Sequence, residues 1–140
     1  MTPRKYSTPL LSDSLWVGWA QAITAVALAI GSVWLCRWAL HTLGRNWAVV
    51  ARVTDEHELV QTGPYAWVRN PIYAGMLGML IATALVISQW WGGLLAIVIF
   101  HVGTMVRVKS EERLLEQQFG NKFDEYRKQV PAYIPGVRGS

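Results

Sequence analysis

Residues 71–106 carry no Asp, Glu, Lys or Arg. As one helix this run, roughly 36 residues, would be about 54 Å long, against roughly 30 Å for the hydrocarbon core of a bilayer. A stretch that oily and that long must fold back on itself. The reversal falls at Ser88-Gln89-Trp90-Trp91-Gly92-Gly93, which is polar and glycine-rich, with two tryptophans suited to a membrane interface. The run therefore reads as a tight helical hairpin with spans over 72–88 and 92–107. Ala74, Gly78 and Ala82 recur at every fourth residue of its first arm, a small-residue seam of the kind that lets membrane helices approach closely.

A further uncharged run, residues 14–36, is long enough to span as a helix. A cleaved leader is the alternative, but the run exceeds the usual apolar core of about 7–15 residues and no small-x-small site ends it. It is read as a permanent span. The expected fold is thus all-α and integral to the membrane, with three transmembrane helices, in one domain of 140 residues. Composition agrees: 52% of residues are hydrophobic, 16% are charged, and eight are tryptophan. The single cysteine, Cys36, excludes a disulfide framework. The net charge of +4 is no nucleic-acid signal, because the basic residues cluster where apolar runs end.

The remaining chain is polar. Residues 1–13 are expected to be loose. Residues 37–71 contain Leu43-Gly44-Arg45-Asn46-Trp47, which looks like a helix end, and 48–53, which suits a short extended piece. In residues 108–140, Leu115, Phe119, Phe123, Tyr126 and Val130 share one helical face. The expected element is an amphipathic helix interrupted by Gly120 and ended by Pro131, with a loose tail to Ser140. Of the thirteen Lys and Arg residues, all but Arg4 and Lys5 lie in residues 37–71 and 107–140, which three spans place on one side. By the positive-inside rule that side is cytosolic, including the C-terminal helix.

The two cytosolic regions can meet, and their residues suggest a site. Thr62-Gly63-Pro64-Tyr65-Ala66-Trp67-Val68-Arg69-Asn70-Pro71-Ile72-Tyr73-Ala74-Gly75 opens as a turn, and Pro71 suits the first position of a helix. Backbone donors at that helix start, next to Arg69 and two phenols, suit an anionic group. The other reading is an interfacial anchor of Tyr, Trp and Arg. Arg107 and Glu111 are spaced i, i+4 where the last span leaves the membrane, and Glu112 follows. Such a pair is either a surface ion pair or a site facing the Tyr65–Tyr73 loop. His101, inside the last span, suits an inter-helix hydrogen bond. No His-x-x-His or His-Glu-x-x-His spacing exists for a metal, and no Gly-x-Gly-x-x-Gly or phosphate-binding loop is present.

These motifs together resemble the isoprenylcysteine carboxyl methyltransferase family, integral-membrane enzymes related to membrane phospholipid methyltransferases. The residues that carry the resemblance are His57-Glu58-Leu59-Val60, Gly63-Pro64-Tyr65 and Arg69-Asn70-Pro71-Ile72-Tyr73-Ala74-Gly75. Arg107, Glu111-Glu112, Phe119-Gly120, Phe123, Tyr126 and Val130-Pro131 follow in the family's order, so the match covers about Gly44 to Pro135. It implies S-adenosylmethionine as cofactor, with contacts from His57, Glu58, Leu59, Val60, Tyr65, Asn70, Pro71, Ile72, Tyr73, Glu111 and Glu112. It implies that Arg107 meets the substrate as the catalytic residue. One position departs from the pattern: Asn70 stands where the family has histidine, and an amide cannot become cationic.

The function implied is methyl transfer to a lipophilic or prenylated acceptor within the bilayer, first of all the carboxylate of an isoprenylated cysteine or a similar acid. The alternatives are an amino-lipid methyltransferase acting on a phosphatidylethanolamine-like head group and a non-enzymatic membrane scaffold or sensor. A second copy of the chain is a further expected partner, since three spans leave the pocket partly open.

Overall fold

The structure, a computed structural model, describes residues 15–44, 58–87 and 89–136. The sequence expectations for 1–13, for 48–53, for His57 and for the last residues to Ser140 lie outside this range. The described residues are helical and contain no strand.

Helix α1 is Leu15–Leu43, longer than the expected 14–36. Arg37 does not stop it, because an exposed arginine is a good helix former and its stem can lie along apolar surface. The helix ends just before Gly44, where the sequence places a stop. A single turn of tighter helix at Gly63–Ala66 opens the central loop. Helix α2, Pro71–Ile87, starts with its proline at the first helical position as expected.

Helix α3, Trp90–Phe119, departs from expectation at both ends. Gly92 and Gly93 lie in its first turn and not in the reversal between α2 and α3, and the Ser88 expected there lies outside the described residues. At the other end there is no boundary near 107: the helix runs unbroken through Arg107, Glu111 and Glu112, since nothing before Gly120 opposes it. Gly120 adopts φ 53, ψ −124, a region open essentially to glycine, and so turns the chain into α4, Asn121–Gln129. Phe123 and Tyr126 are the buried face of α4, as the amphipathic pattern requires. Among the described residues, α1 and α3 are long and apolar enough to cross a membrane. The 17 residues of α2 reach only about 26 Å.

Helix α2 packs chiefly along α1. A Cβ at Gly75 would lie 2.9 Å from the Ser32 carbonyl and collide with the Cys36 sulfur, and one at Gly78 would collide with the Ser32 hydroxyl. The Cys36 thiol donates to the Ile72 carbonyl at 3.6 Å. The deep seam is therefore Gly75, Gly78 and Ala82. Gly75 replaces the expected Ala74, because positions three and seven residues apart share a stripe on a helix of 3.6 residues per turn. Further along, the Gln21 side-chain amide donates to the Leu85 carbonyl, which α2 leaves unpaired in its last turn. At the opposite end Val68, Tyr65, Phe123, Tyr126 and Tyr133, from the central loop, α4 and the tail, are likewise buried.

Candidate functional site

The central loop is clasped by the chain that follows α4. Backbone N–H groups of Arg69 and Asn70 donate to the carbonyls of Pro131 and Ala132, at 2.9 and 2.8 Å. The Asn70 side-chain amide also donates to Ala132, at 3.1 Å. Tyr126 of α4 donates its hydroxyl to the Tyr65 carbonyl. These bonds tie the loop to the tail and α4 at the entrance to α2.

From that platform Tyr73, in the first turn of α2, reaches across to α3. Its hydroxyl donates to Glu111 Oε1 (2.8 Å) and accepts from Arg107 Nε (2.7 Å), while Arg107 Nε also lies 3.0 Å from Glu111 Oε1. The i, i+4 spacing thus brings Arg107 and Glu111 to one face, as expected, and Tyr73 joins them. The Arg107 side chain is 67% exposed and that of Glu111 only 19%, so the cluster has an open cationic edge and a shielded carboxylate. Tyr65 is buried next to it: burial, and then the Glu111 charge, push its phenol up to about 12. It therefore stays neutral across the physiological range, a polar wall and not a base.

Leu59 and Val60 are half-buried and Glu58 is exposed ahead of the loop, Pro71 is buried at the helix start, and Ile72 gives its carbonyl to Cys36. Glu112 projects elsewhere: its Oε1 takes Arg69 Nε at 2.8 Å, with both side chains largely buried. Arg69, expected beside an anionic ligand, is instead enclosed by Glu112 and by the carbonyls of Arg127 and Val130. His101 hydrogen-bonds Tyr133 of the tail and not a neighbouring helix. Sequence reasoning missed this tail clasp. Its one legible signal was the Val130-Pro131 pair that closes the family pattern.

A family model described as phospholipid methyltransferase matches residues 20–122, most of the chain. The chain belongs to the phospholipid methyltransferase family. It is similar to protein-S-isoprenylcysteine O-methyltransferase of Xenopus laevis, with 28% identity over 138 residues, covering 94% of this chain and 46% of that protein. It is also similar to nickel-cobalt-cadmium resistance protein NccN of Alcaligenes xylosoxydans xylosoxydans, at 31% identity over 115 residues, covering 81% of this chain and 52% of that protein. Among the described residues, however, no three His, Cys, Asp or Glu side chains group to hold a metal ion. The solved structure of a eukaryotic intramembrane Ras methyltransferase, isoprenylcysteine carboxyl methyltransferase, superimposes with a TM-score of 0.76 at 28% identity, over 86% of this chain and 44% of that one. The chain thus spans about half the length of the relatives it matches.

Proposed function

We propose that the protein transfers a methyl group from S-adenosylmethionine to a lipophilic acceptor drawn from the bilayer, foremost the carboxylate of an isoprenylated cysteine or similar acid. The observation that carries this reading is the cluster of Tyr65, Tyr73, Arg107 and Glu111 at one end of the apolar helices. Both bonds to Glu111 use Oε1, and Arg107 gives only Nε, so Glu111 Oε2 and the terminal Arg107 nitrogens have no hydrogen-bond partner among the described residues. A carboxylate oxygen and a guanidinium edge beside two phenols fit a cationic donor and an anionic acceptor.

In this reading Glu111 holds the cofactor's amino group or ribose, and the first-turn N–H groups of Ile72 and Tyr73 suit its carboxylate. Glu58, Leu59, Val60, Asn70 and Pro71 line its approach. Bound S-adenosylmethionine supplies an electrophilic methyl group on a sulfonium, to which aromatic rings are attractive neighbours. Arg107 fixes the acceptor carboxylate through its planar fork. A carboxylate is already deprotonated near pH 7, so the site needs no general base and acts by orientation in a shielded pocket. We place α2 as a third, short span, make the protein multi-pass, and turn the site and α4 toward the cytosol, because the basic residues gather there. A second copy of the chain would close the open side.

A second acceptor is the amine of a phospholipid head group, a reading supported by the family's description as phospholipid methyltransferase. That amine must lose a proton, and Glu111 Oε2 is the unpartnered carboxylate oxygen of the cluster. Calorimetry with S-adenosylhomocysteine on purified protein, then label transfer from S-adenosylmethionine to a prenylcysteine or to phosphatidylethanolamine, tests both. Methyl ester formation supports the first acceptor and amine methylation the second. Failure to bind S-adenosylhomocysteine leaves the scaffold reading.

A further inference from the structure

The Arg69 guanidinium is held by three parts of the chain at once. Its Nε donates to Glu112 on α3 at 2.8 Å. Its Nη1 donates to the carbonyls of Arg127 in α4 and Val130 just beyond, at 2.8 and 2.6 Å. The Arg69 side chain is 6% exposed and that of Glu112 is 14%. This largely buried cation, bound through Nε and Nη1, is four residues from Tyr73, and its partner is adjacent to Glu111.

That adjacency has a mechanical meaning. Consecutive residues of an α-helix project about 100° apart. The tie from Glu111 to Tyr73 alone would let α3 rotate or slide about that contact. A second tie from the next residue to a second point on the same rigid segment removes both freedoms. The segment is rigid because Asn70 is bonded twice to Ala132 and Pro71 locks the start of α2. We infer that Arg69 is a positioning residue: through Glu112 it fixes the rotation of α3, and so holds the Glu111 carboxylate on Tyr73 with one oxygen left for a ligand. The identity of that ligand rests on the methyl-transfer reading; the positioning itself does not.

The test is a double-mutant cycle read by S-adenosylhomocysteine affinity. Arg69→Lys keeps the charge but cannot span Glu112 and two carbonyls. It is expected to weaken binding about tenfold in the parent and less than about twofold in a Glu111→Gln background, because the two changes act through one carboxylate. Glu112→Gln should follow the same pattern more mildly, and it serves if Arg69→Lys does not fold. A second readout needs no ligand. Nitroxides at Met76 of α2 and Leu114 of α3, both exposed, in a Cys36→Ala background, should show a broader distance distribution once Arg69 is changed. Equal losses of affinity in both backgrounds, or unchanged affinity, would overturn the inference, as would an unaltered label distribution. If the parent binds no S-adenosylhomocysteine, the functional reading fails and the label pair alone decides whether Arg69 positions α3.

Discussion

Arg107 and Glu111 form one ion pair, but the proposed function divides their roles. Arg107→Ala should reduce methyl transfer by about tenfold or more while leaving S-adenosylhomocysteine affinity nearly unchanged, since an exposed guanidinium edge is lost and Tyr73 still holds Glu111. Arg107→Lys should recover only part of the activity, because an ammonium lacks the planar fork. Glu111→Gln should weaken S-adenosylhomocysteine directly. Side-by-side calorimetry and turnover measurements check this, and parallel losses in both quantities would contradict it. The buried phenols make a separate prediction. Burial raises Tyr126 above its ordinary 10.0, against the lowering pull of Arg69, and brings Tyr65 to about 12. Above pH 10 the unfolded chain releases protons that the folded protein keeps. Their stabilising contribution is thus complete below about pH 10 and declines as pH rises toward 12. Thermal unfolding in detergent should show a midpoint that falls across this window. Tyr126→Phe should flatten the fall, at a cost of about 1 kcal/mol at neutral pH for the lost bond to Tyr65.

At the scale of elements, the contact between α1 and α2 is the one most sensitive to side-chain volume. Alanine is the better helix former by about 1 kcal/mol, so Gly75→Ala on an open face would stabilise. Here the added methyl meets the Cys36 sulfur and the Ser32 backbone, and backbone cannot step aside as a flexible side chain can. Overpacking of about 1–3 kcal/mol should prevail, lowering the unfolding temperature. Cys36→Ala should restore part of that loss by clearing the nearer obstacle. A rise in unfolding temperature for Gly75→Ala alone would show that α1 and α2 separate freely. The continuity of α3 matters equally, because a break after Arg107 would have uncoupled Arg107 from Glu111.

For the whole molecule, the prediction is sidedness. In a protein whose native cysteine, Cys36, is replaced by alanine, Lys122→Cys in α4 should react with an impermeant thiol reagent only from the cytosolic side. Gln89→Cys, at the reversal between α2 and α3, should react only from the other side. Labelling of both from one side would mean that α2 and α3 do not cross as a pair. Much of this architecture was legible in the sequence, because exclusion of charge, the stop at Gly44, the start at Pro71 and the break at Gly120 act on neighbouring residues. The i, i+4 pairing of Arg107 with Glu111 is equally local, a consequence of helical period alone. What tertiary structure decided is the partner of each charge. Arg69 lies 43 residues from Glu112, and only the packing of the central loop against α3 and the tail brings the two together. The same holds for Gly75 against Cys36, Tyr126 against Tyr65 and Tyr133 against His101, whose members lie 32 to 61 residues apart in hydrogen-bonded pairs where such bonds exist. A propensity or a period sees only a few neighbours along the chain, whereas burial and charge pairing depend on which distant surfaces meet.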